Sequence, residues 1–512
     1  MSYPAQNHTS RRALKRTARI LALVLPLLAP RPVLANSPAQ NEVKRDFQKT
    51  VTLSGNQGVS LDHRLGRINI RGEAGHDVKI SATIRVQDSS GADAQDFLAK
   101  IQIEVREEGD GVHIRTVYPD SKFPRIRIGG HTSYSVDYDI SMPSEAPLWV
   151  RNAFGNAEIT GVRGWAQIEN GNGALAVRDA GSTKLVNSFG RIDLSNSSGN
   201  CSITNNNGAV NVTNVKGTLE IRNRFGEVVA SQICGATTIS GGNGRVSLTQ
   251  AGGNSTVSNS FGEVVVRNIP GNLAVTNSNG RIDVADVTGT ADLTTSFGPV
   301  EATRIGGTVT IKDSNGPVHL TEAKGFVSVN TSFGPVKASQ LYKGANVVTG
   351  NGGIDLNTVQ GDVYAKTSFG SIYVENVKGK FTAQDSNGSV TAKSIEGDAA
   401  VDTSFSGVTL EGIGGTIRVN NQNGAIDVTA ASGSGCKDIN LKTSFSHIAV
   451  RIPASGGYKV NARTSFGHIT SELPVTSTGT MGSDSLNGTI GNGACTLELT
   501  NSSGNVEISR AP

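Results

Sequence analysis

Aspartates that recur at one place in a pattern are the first candidates for chemistry in this sequence. Asp193, Asp283, Asp355 and Asp427 stand in the tetrapeptides RIDL, RIDV, GIDL and AIDV, at separations that are multiples of 18 residues. Carboxylates clustered on one face of a scaffold act as acid and base or hold Ca²⁺. Because Thr, Glu, Lys or Ser replaces the aspartate in other copies, we interpret these four residues as solvated strand positions.

Histidine, glycine and serine patterns give no stronger support for a metal or a nucleophile. His447 and His468 follow SFS and SFG, but two histidines without a third ligand do not define a metal site. Calcium β-rolls also use nine-residue half-turns, yet their repeat has three glycines and an aspartate where this one has a single glycine. The residues 433–435 form only a degenerate serine-hydrolase elbow, with no following helix. We therefore predict no catalytic residue, no metal and no cofactor.

The element that carries these residues is a short repeat. From residue 190 to residue 424 a glycine falls at every ninth position, interrupted only at Lys343 and Ser406. Apolar residues stand two and four positions after the glycine, as Ile282 and Val284 do, with polar residues between them. Alternation with a period of two indicates a short strand with one buried face, and glycine suits the tight corner between strands.

Alternate nonapeptides end differently, so the minimal repeat is 18 residues with two strands. One kind has an apolar residue seven positions after its glycine, and the other ends in Phe-Gly or Asn-Gly. One such unit cannot bury its apolar face alone, but stacked units share a continuous core. The sequence therefore predicts an all-β fold, a β-solenoid of stacked 18-residue coils. A sandwich or a propeller does not explain so short a period, since propeller blades repeat at about 40 residues.

Phe and Asn alternate at one place in the repeat, each series advancing by 36 residues. In 18-residue coils the two would alternate up one corner, whereas in 36-residue coils Phe would stack on Phe and Asn on Asn. We favour 18, because nine-residue steps close a narrow coil more simply, and we expect the ring to fill the core and the amide to bond the backbone. The ladder comprises Phe189, Phe225, Phe261, Phe297, Phe333, Phe369, Phe405, Asn207, Asn243, Asn279, Asn315, Asn351, Asn387 and Asn423.

The sequence divides into four parts. Residues 1–35 have a basic start, a short apolar run and a small-residue end, which is typical of a cleaved signal peptide. The alternative is an uncleaved membrane anchor, but the apolar run of about 10 residues is too short to span a bilayer. The start of the segment also loosely resembles a twin-arginine export signal. We predict an N-terminal β-rich capping region at 36–150, the regular β-solenoid at 151–433, and an irregular C-terminal solenoid and cap at 434–512. Caps are needed because an uncovered end coil is an open sheet edge.

Charge argues against a nucleic-acid partner. The chain has 47 Lys and Arg against 43 Asp and Glu, a net charge of +4. The leader holds six of the basic residues and no acid, so the mature chain has 41 basic and 43 acidic residues, a net charge of −2. A nucleic-acid partner would need a basic surface. No other apolar run is long enough to span a bilayer, so we predict no transmembrane segment in the mature chain.

Four cysteines allow three disulfide pairings. The most local pairing joins Cys201 to Cys234 and Cys436 to Cys495. An exported protein favours disulfides, but free cysteine is also a common small buried residue, so both interpretations stay open. Zinc is not predicted, because the sequence has no C-x-x-C pair.

Three segments carry a resemblance to a known family. They are FQKTVTLSGNQGVSLDHRLGRINIRG, VDYDISMPSEAPLWVRNAFGNAEITGVRG and LELTNSSGNVEISR. Together with the leader they resemble the bacterial putative-adhesin family, catalogued as a domain of unknown function. The resemblance implies an exported β-solenoid, adhesion by analogy, and no catalytic residues. The regular alternation of Phe and Asn departs from the family pattern.

These observations predict a non-enzymatic, exported β-solenoid that acts as an adhesin-like or scaffold surface protein. We expect it to bind polysaccharide or a surface protein through its repetitive polar strand faces, by many weak contacts. Its location would be the periplasm, the cell surface or the medium. One alternative is a carbohydrate-active enzyme with its site in the irregular cap or near Lys343 and Ser406. Another is a periplasmic sensor or envelope-stress accessory with a membrane partner.

Overall fold

The structure, a computed structural model, describes residues 41–88, 91–119, 133–433, 435–453, 455–477 and 482–511. The predicted signal peptide lies outside the described residues. Within them no helix is long and apolar enough to cross a membrane. The N-terminal elements are β1 (Asn41–Thr52), β2 (Gly58–Asp62), β3 (Ile68–Glu73), β4 (Asp77–Asp88), α1 (Gly91–Lys100), β5 (Gln102–Glu108), β6 (Gly111–Val117) and β7 (Ser133–Pro143).

Short strands of the repeat follow one another through the middle of the chain. The first half comprises β8 (Leu148–Phe154), β9 (Ala157–Thr160), β10 (Ala166–Asn172), β11 (Leu175–Ala180), β12 (Thr183–Phe189), β13 (Ile192–Ser197), β14 (Cys201–Asn207), β15 (Val210–Val215), β16 (Leu219–Phe225), β17 (Val228–Ile233), β18 (Thr237–Asn243), β19 (Val246–Ala251), β20 (Ser255–Phe261), β21 (Val264–Ile269), β22 (Leu273–Asn279) and β23 (Ile282–Val287). The second half comprises β24 (Ala291–Phe297), β25 (Val300–Ile305), β26 (Val309–Asp313), β27 (Val318–Ala323), β28 (Val327–Thr331), β29 (Val336–Leu341), β30 (Ala345–Thr349), β31 (Ile354–Val359), β32 (Val363–Lys366), β33 (Ile372–Val377), β34 (Phe381–Gln384), β35 (Val390–Ile395), β36 (Ala399–Thr403), β37 (Val408–Ile413), β38 (Ile417–Asn421) and β39 (Ile426–Ala430).

Each coil gives one strand to each of two facing parallel sheets. The odd-numbered strands from β9 to β39 form sheet A, and the even-numbered strands from β8 to β38 form sheet B. Ile192 pairs with Val210 in sheet A, and Phe189 pairs with Asn207 in sheet B, so neighbouring coils are 18 residues apart. This register confirms the predicted β-solenoid and selects the 18-residue coil over the 36-residue alternative.

The core between the sheets is built from three inward-facing side chains on most sheet A strands, nearly all of them apolar, and from one or two buried apolar side chains on each sheet B strand. On β15 these are Val210, Val212 and Val215, all fully buried. The third faces inward because Asn214 before it has a positive φ of 58°, which acts as a bulge and rotates the chain by one residue. The same left-handed residue recurs in 13 coils, from Asp179 to Ser394. It explains why the third apolar residue stands seven, and not six, positions after the glycine.

A ladder of buried polar side chains occupies the corner where sheet B turns into sheet A. Its members stand three residues before each corner glycine, and most are Asn, Thr or Asp. Asn205 is typical: its Nδ2 donates to the carbonyl oxygens of Gly190 and Gly208, at 3.2 and 3.0 Å. Asn187, Asn223 and Asn259 do the same, and so tie the glycine of their own coil to the glycine of the coil before. We call this set the amide ladder; it includes Asn152, Asn170, Asn187, Asn205, Asn223, Asn259, Asn277, Thr295, Asp313, Thr331, Thr349, Thr367, Asp385, Thr403 and Asn421.

Chain order and spatial order differ at both ends of the stack. The C-terminal strands are β40 (Ile439–Phe445), β41 (Ile448–Ile452), β42 (Tyr458–Arg463), β43 (Ile469–Ser471), β44 (Thr476–Ser477), β45 (Ser485–Ile490), β46 (Cys495–Ser503) and β47 (Val506–Arg510). β46 pairs with both β40 and β42, and β47 pairs with both β41 and β43. The last two strands of the chain are thus inserted between two earlier coils.

The N-terminal end is closed in a related way. β2 lies between β6 and β8, and β3 lies between β7 and β9. β1, β4 and β7 add an antiparallel extension to sheet A. The helix α1 packs beside these strands and buries Ala94 and Leu98. The domain boundaries drawn from the sequence stay predictions.

The cysteines divide into one bonded pair and two free thiols. Cys436 and Cys495 form a disulfide with a Cα–Cα distance of 5.9 Å, which fastens the inserted strand β46 to the segment before β40. The local pairing of Cys201 with Cys234 is wrong. Cys201 is buried on β14, where its Sγ donates to Ser197 Oγ at 3.0 Å, whereas Cys234 is exposed in a turn.

Two members of the amide ladder are aspartates, and this predicts a stability change. Asp313 and Asp385 are buried, and within the described residues Oδ2 of each has no hydrogen-bond partner. Burial raises the pKa of both carboxyls, so their charged forms oppose folding at neutral pH. We expect Asp313→Asn with Asp385→Asn to raise the free energy of unfolding at pH 7 by about 1 kcal/mol per site, because the amide donates where the carboxylate cannot.

The difference between this variant and the native protein should shrink as the pH falls, because the native carboxyls become protonated and lose the penalty. Denaturant unfolding of both proteins at pH 7 and pH 4 measures it. The reverse change, Asn277→Asp, is the matched control and should destabilise the fold at pH 7. A double variant no more stable than the native protein at pH 7 would contradict the role assigned to the amide.

Candidate functional site

A row of phenylalanines stands on the outer corner of the solenoid. Ten of them are 41 to 79% exposed, and together they are the largest set of exposed apolar side chains among the described residues. We call this row the Phe edge. It comprises Phe154, Phe189, Phe225, Phe261, Phe297, Phe333, Phe369, Phe405, Phe445 and Phe466.

The expectation that these rings fill the core is wrong. In the first half of the stack each Phe is the last residue of its sheet B strand, and the glycine after it begins the turn into sheet A. The Asn or Thr side chain two residues earlier already fills the inner side of the corner, so the ring projects beyond the end of the core. Amides of the alternating Asn series do bond the backbone in places, as Asn387 Nδ2 does to the carbonyl oxygen of Ser368 at 3.0 Å.

The rings are spaced two rungs apart. Phe189 pairs with Asn207, and Asn207 pairs with Phe225, so a polar rung separates each pair of rings. At about 4.8 Å per rung the rings are about 9.6 Å apart, and the whole Phe edge is roughly 85 Å long.

The spacing persists where chain order breaks down. Ser503 on the inserted strand β46 pairs with Phe445 on one side and with Phe466 on the other. Phe445, Ser503 and Phe466 therefore continue the alternation in space, although they are not evenly spaced along the chain. A tandem duplication of 36 residues would not produce this arrangement, so the two-rung spacing is a property of the surface itself.

Polar groups and glycines surround the rings. Serine precedes eight of the ten phenylalanines, and the Arg224 guanidinium lies over the Phe225 ring at 5.4 Å from its centroid. The corner glycine is required because a Cβ at Gly298 would lie 2.4 Å from the carbonyl oxygen of Gly280. The Phe edge can thus stack on flat apolar surfaces and exchange hydrogen bonds beside them.

The recurrent aspartates do not form a site. They lie on the outward face of sheet A, four or five coils apart, and each has a basic partner. Asp193 Oδ2 lies 2.6 Å from Arg191 Nε, and Asp283 Oδ2 lies 2.5 Å from Arg267 Nη2. Asp355 is near Lys337. Glu301 is the register neighbour of Asp283 on the outward face, and both carboxylates are paired with arginines, Asp283 with Arg267 and Glu301 with Arg281.

The two histidines singled out in the sequence are also apart. His447 Nε2 lies 3.5 Å from Asp427 Oδ2. Asn505 comes between His447 and His468, because it immediately precedes the inserted strand β47, so the histidines are two rungs apart. Within the described residues, the one group of three potential metal ligands lies elsewhere, at the end of the hairpin formed by β5 and β6, and comprises Glu108, Asp110 and His113. This group was not predicted from the sequence.

A cleft of about 690 Å³ opens at the N-terminal end of the Phe edge. His63 continues the amide ladder there: its Nδ1 lies 3.0 Å from Thr116 Oγ1, which lies 2.7 Å from the Tyr138 hydroxyl. Burial lowers the pKa of His63 to about 4 and raises that of Tyr138 to about 12, so both are neutral at pH 7. Sequence reasoning missed His63, whose place in the ladder depends on the spatial order of β2, β6 and β8.

The solenoid and its exposed aromatic edge define a class of elongated all-β protein without a recognisable catalytic centre in the described residues. Residues 343–509, about a third of the chain, match the model of the Toastrack DUF4097 family. This match confirms the resemblance to a family of unknown function inferred from the sequence.

Similarity to solved structures and to curated proteins is weak or absent. A solved structure of a putative cell adhesion protein from Clostridium sporogenes is 11% identical, with a TM-score of 0.18; the match covers 53% of this chain and all of that one. These values are too low to support an inference about this chain. No curated protein matches the sequence.

Acidification should reveal the buried histidine. The folded pKa of His63 is about 4 and its ordinary value is 6.5. Its contribution to stability is therefore complete above pH 6.5 and is lost as the pH falls toward 4, by roughly 3 kcal/mol. His63→Asn, which restores the residue type of the ladder, should flatten this part of the pH profile of unfolding. Parallel profiles for the two proteins would contradict the assignment.

Two phenylalanines in neighbouring coils give a direct test of which rings are core. Phe381 is fully buried and Phe369 is 64% exposed. We expect Phe381→Ala to lower the free energy of unfolding by about 3 to 5 kcal/mol, and Phe369→Ala to change it by about 0.5 kcal/mol or less. Denaturant unfolding of both variants measures this, and equal losses would place the Phe edge in the core after all.

Proposed function

We propose that this protein is a non-enzymatic, exported, adhesin-like rod that binds extended polysaccharide along the Phe edge. The observation that carries the proposal is the two-rung ring spacing, which is preserved across the inserted strand β46. A spacing maintained by different chain segments indicates a partner that itself repeats at regular intervals.

The composition of the Phe edge favours a polysaccharide over a protein. The apolar core of a protein interface is continuous and excludes water. Here a polar rung separates every two rings, and most rings have a serine beside them. Sugar units present an apolar face of C–H groups and an edge of hydroxyls, which suit an aromatic ring flanked by hydroxyl and amide groups.

Avidity would supply the affinity. A single exposed ring contributes little, but ten rings along one rigid line can engage one polymer at once, and each bound unit raises the effective concentration of the next. The sequence placed binding on the polar strand faces. We assign it to the Phe edge instead, because the strand faces carry mostly small polar groups and paired charges.

Export and the lack of catalysis are parts of the same proposal. The leader pattern supports export to the periplasm, the cell surface or the medium. Separation and pairing of the recurrent aspartates support a binding role over a carbohydrate-active enzyme, and no observation favours the sensor alternative.

Binding to insoluble and immobilised polysaccharides tests the proposal. The triple variant Phe297→Ala, Phe333→Ala and Phe369→Ala should lose most of the binding shown by the native protein, with little change in stability because all three rings are exposed. The matched control replaces Asn279, Asn315 and Asn351, on the intervening rungs, with alanine and should retain most of it.

Three outcomes would contradict the proposal. Equal binding by the two triple variants would remove the Phe edge from the interaction. If the native protein bound no polysaccharide in a broad glycan panel, the ligand would not be a polysaccharide. Release of soluble sugar by the pure protein would replace the binding role with an enzymatic one.

A further inference from the structure

Both tryptophans of the chain lie on one face at the N-terminal end of sheet B. Trp149 belongs to β8, and Trp165 immediately precedes β10, the next strand of the sheet. They are 40 and 41% exposed, and their ring centroids are 5.6 Å apart in an edge-to-face arrangement. Two large rings held together at the surface, where burial would be more favourable, are a feature of ligand platforms.

Arg151, which has no ion-pair partner among the residues that the structure describes, stands beside this pair. Arg151 is two residues beyond Trp149 on the same outward face of β8, so the two side chains emerge about 7 Å apart. Its neighbours in register are Asp62 on β2 and Glu169 on β10. Both acids are engaged elsewhere: Asp62 Oδ2 lies 3.8 Å from Arg115 Nε, and Glu169 Oε1 accepts from Gln167 Nε2 at 2.7 Å.

Arg151 also lines the 690 Å³ cleft, together with Arg64 and Tyr118. Within the described residues neither Arg64 nor Arg151 forms an ion pair. Three arginines line the cleft against two acids, Asp62 and Glu169, so the cleft has a net positive charge. The two unpaired guanidinium groups are exposed, planar hydrogen-bond donors that match the geometry of a carboxylate.

We propose that this cleft binds a carboxylated sugar unit of an acidic oligosaccharide. Arg151 and Arg64 bind the carboxylate, and the pair of tryptophans stacks on the adjoining sugar unit. The platform of two rings favours a sugar over a peptide carboxylate, since sugar units offer flat apolar faces. This second site has its own ligand class and does not depend on the function proposed for the Phe edge.

Tryptophan emission reports on this site selectively, because the chain has only two tryptophans. The full mature protein is titrated with trigalacturonate, and calorimetry provides an independent measure of binding. We expect a saturable change in emission, weakened by salt, and no saturable change with the carboxyl-reduced, neutral trisaccharide.

Substitutions separate the site from the rest of the surface. Arg151→Gln and Arg64→Gln should each lower the affinity for trigalacturonate roughly tenfold or more. Arg222→Gln is the matched control: Arg222 lies on the same row of sheet B, outside the cleft and paired with Glu220, and its loss should leave the affinity unchanged. The triple Phe-edge variant should also bind trigalacturonate normally.

Several results would overturn the proposal. If trigalacturonate caused neither a change in tryptophan emission nor a heat of binding, the cleft would not be a binding site for it. Equal affinity for the neutral trisaccharide, or unchanged affinity in both arginine variants, would show that the arginines do not recognise the carboxylate. Equal affinity for triglutamate would replace the sugar with an acidic peptide. If the Phe-edge variant lost trigalacturonate binding and the arginine variants kept it, the ligand would bind at the Phe edge and not in the cleft.

Discussion

In nearly every coil of this solenoid a corner glycine lies against the carbonyl group of the corner residue one coil earlier. A Cβ at Gly208 would lie 2.2 Å from the carbonyl oxygen of Gly190, so no other residue fits without moving the backbone. This contact sets how closely the coils stack, and with them the register of both sheets. It also leaves a small polar hole inside the corner, bordered by glycine carbonyls, and the amide ladder fills it. The exposure of the phenylalanines follows, because the inner position is already occupied.

Much of this architecture could be predicted from the sequence, because it is local and repeated. The glycine period and the alternation in segments such as 280–288 indicated the strands, their buried faces and the coil length. The location of Phe297 and its equivalents could not be derived from their apolar character alone. The signal that was missed is the residue two positions earlier, which is Asn, Thr or Asp in most coils. Its side chain occupies the inner side of the corner because it forms hydrogen bonds there.

Features that depend on the spatial order of the strands could not be predicted from the sequence. The alternation of buried and exposed residues in 495–510 does not distinguish a final coil from one inserted between earlier coils, because it is the same as in the other coils. The same holds for His63, which is an isolated histidine in the sequence and a ladder member in the structure. Candidate chemistry was judged on residue type, so the aspartates were noticed, and the cleft formed by β2, β6, β8 and β10 was not. Each of those aspartates has a basic partner in the structure.

The inserted C-terminal strands impose an order of assembly on the rod. Coils from β8 to β41 can be added one after another as the chain emerges, each on the edge left by the one before. β42 and β43 cannot dock on that edge, because their place in the stack lies one coil further out. They must wait for β46 and β47, which are the last strands of the described chain to be made. The C-terminal end of the rod therefore closes in a single late event that joins four strands at once, and a chain interrupted before residue 495 would keep a growing edge exposed.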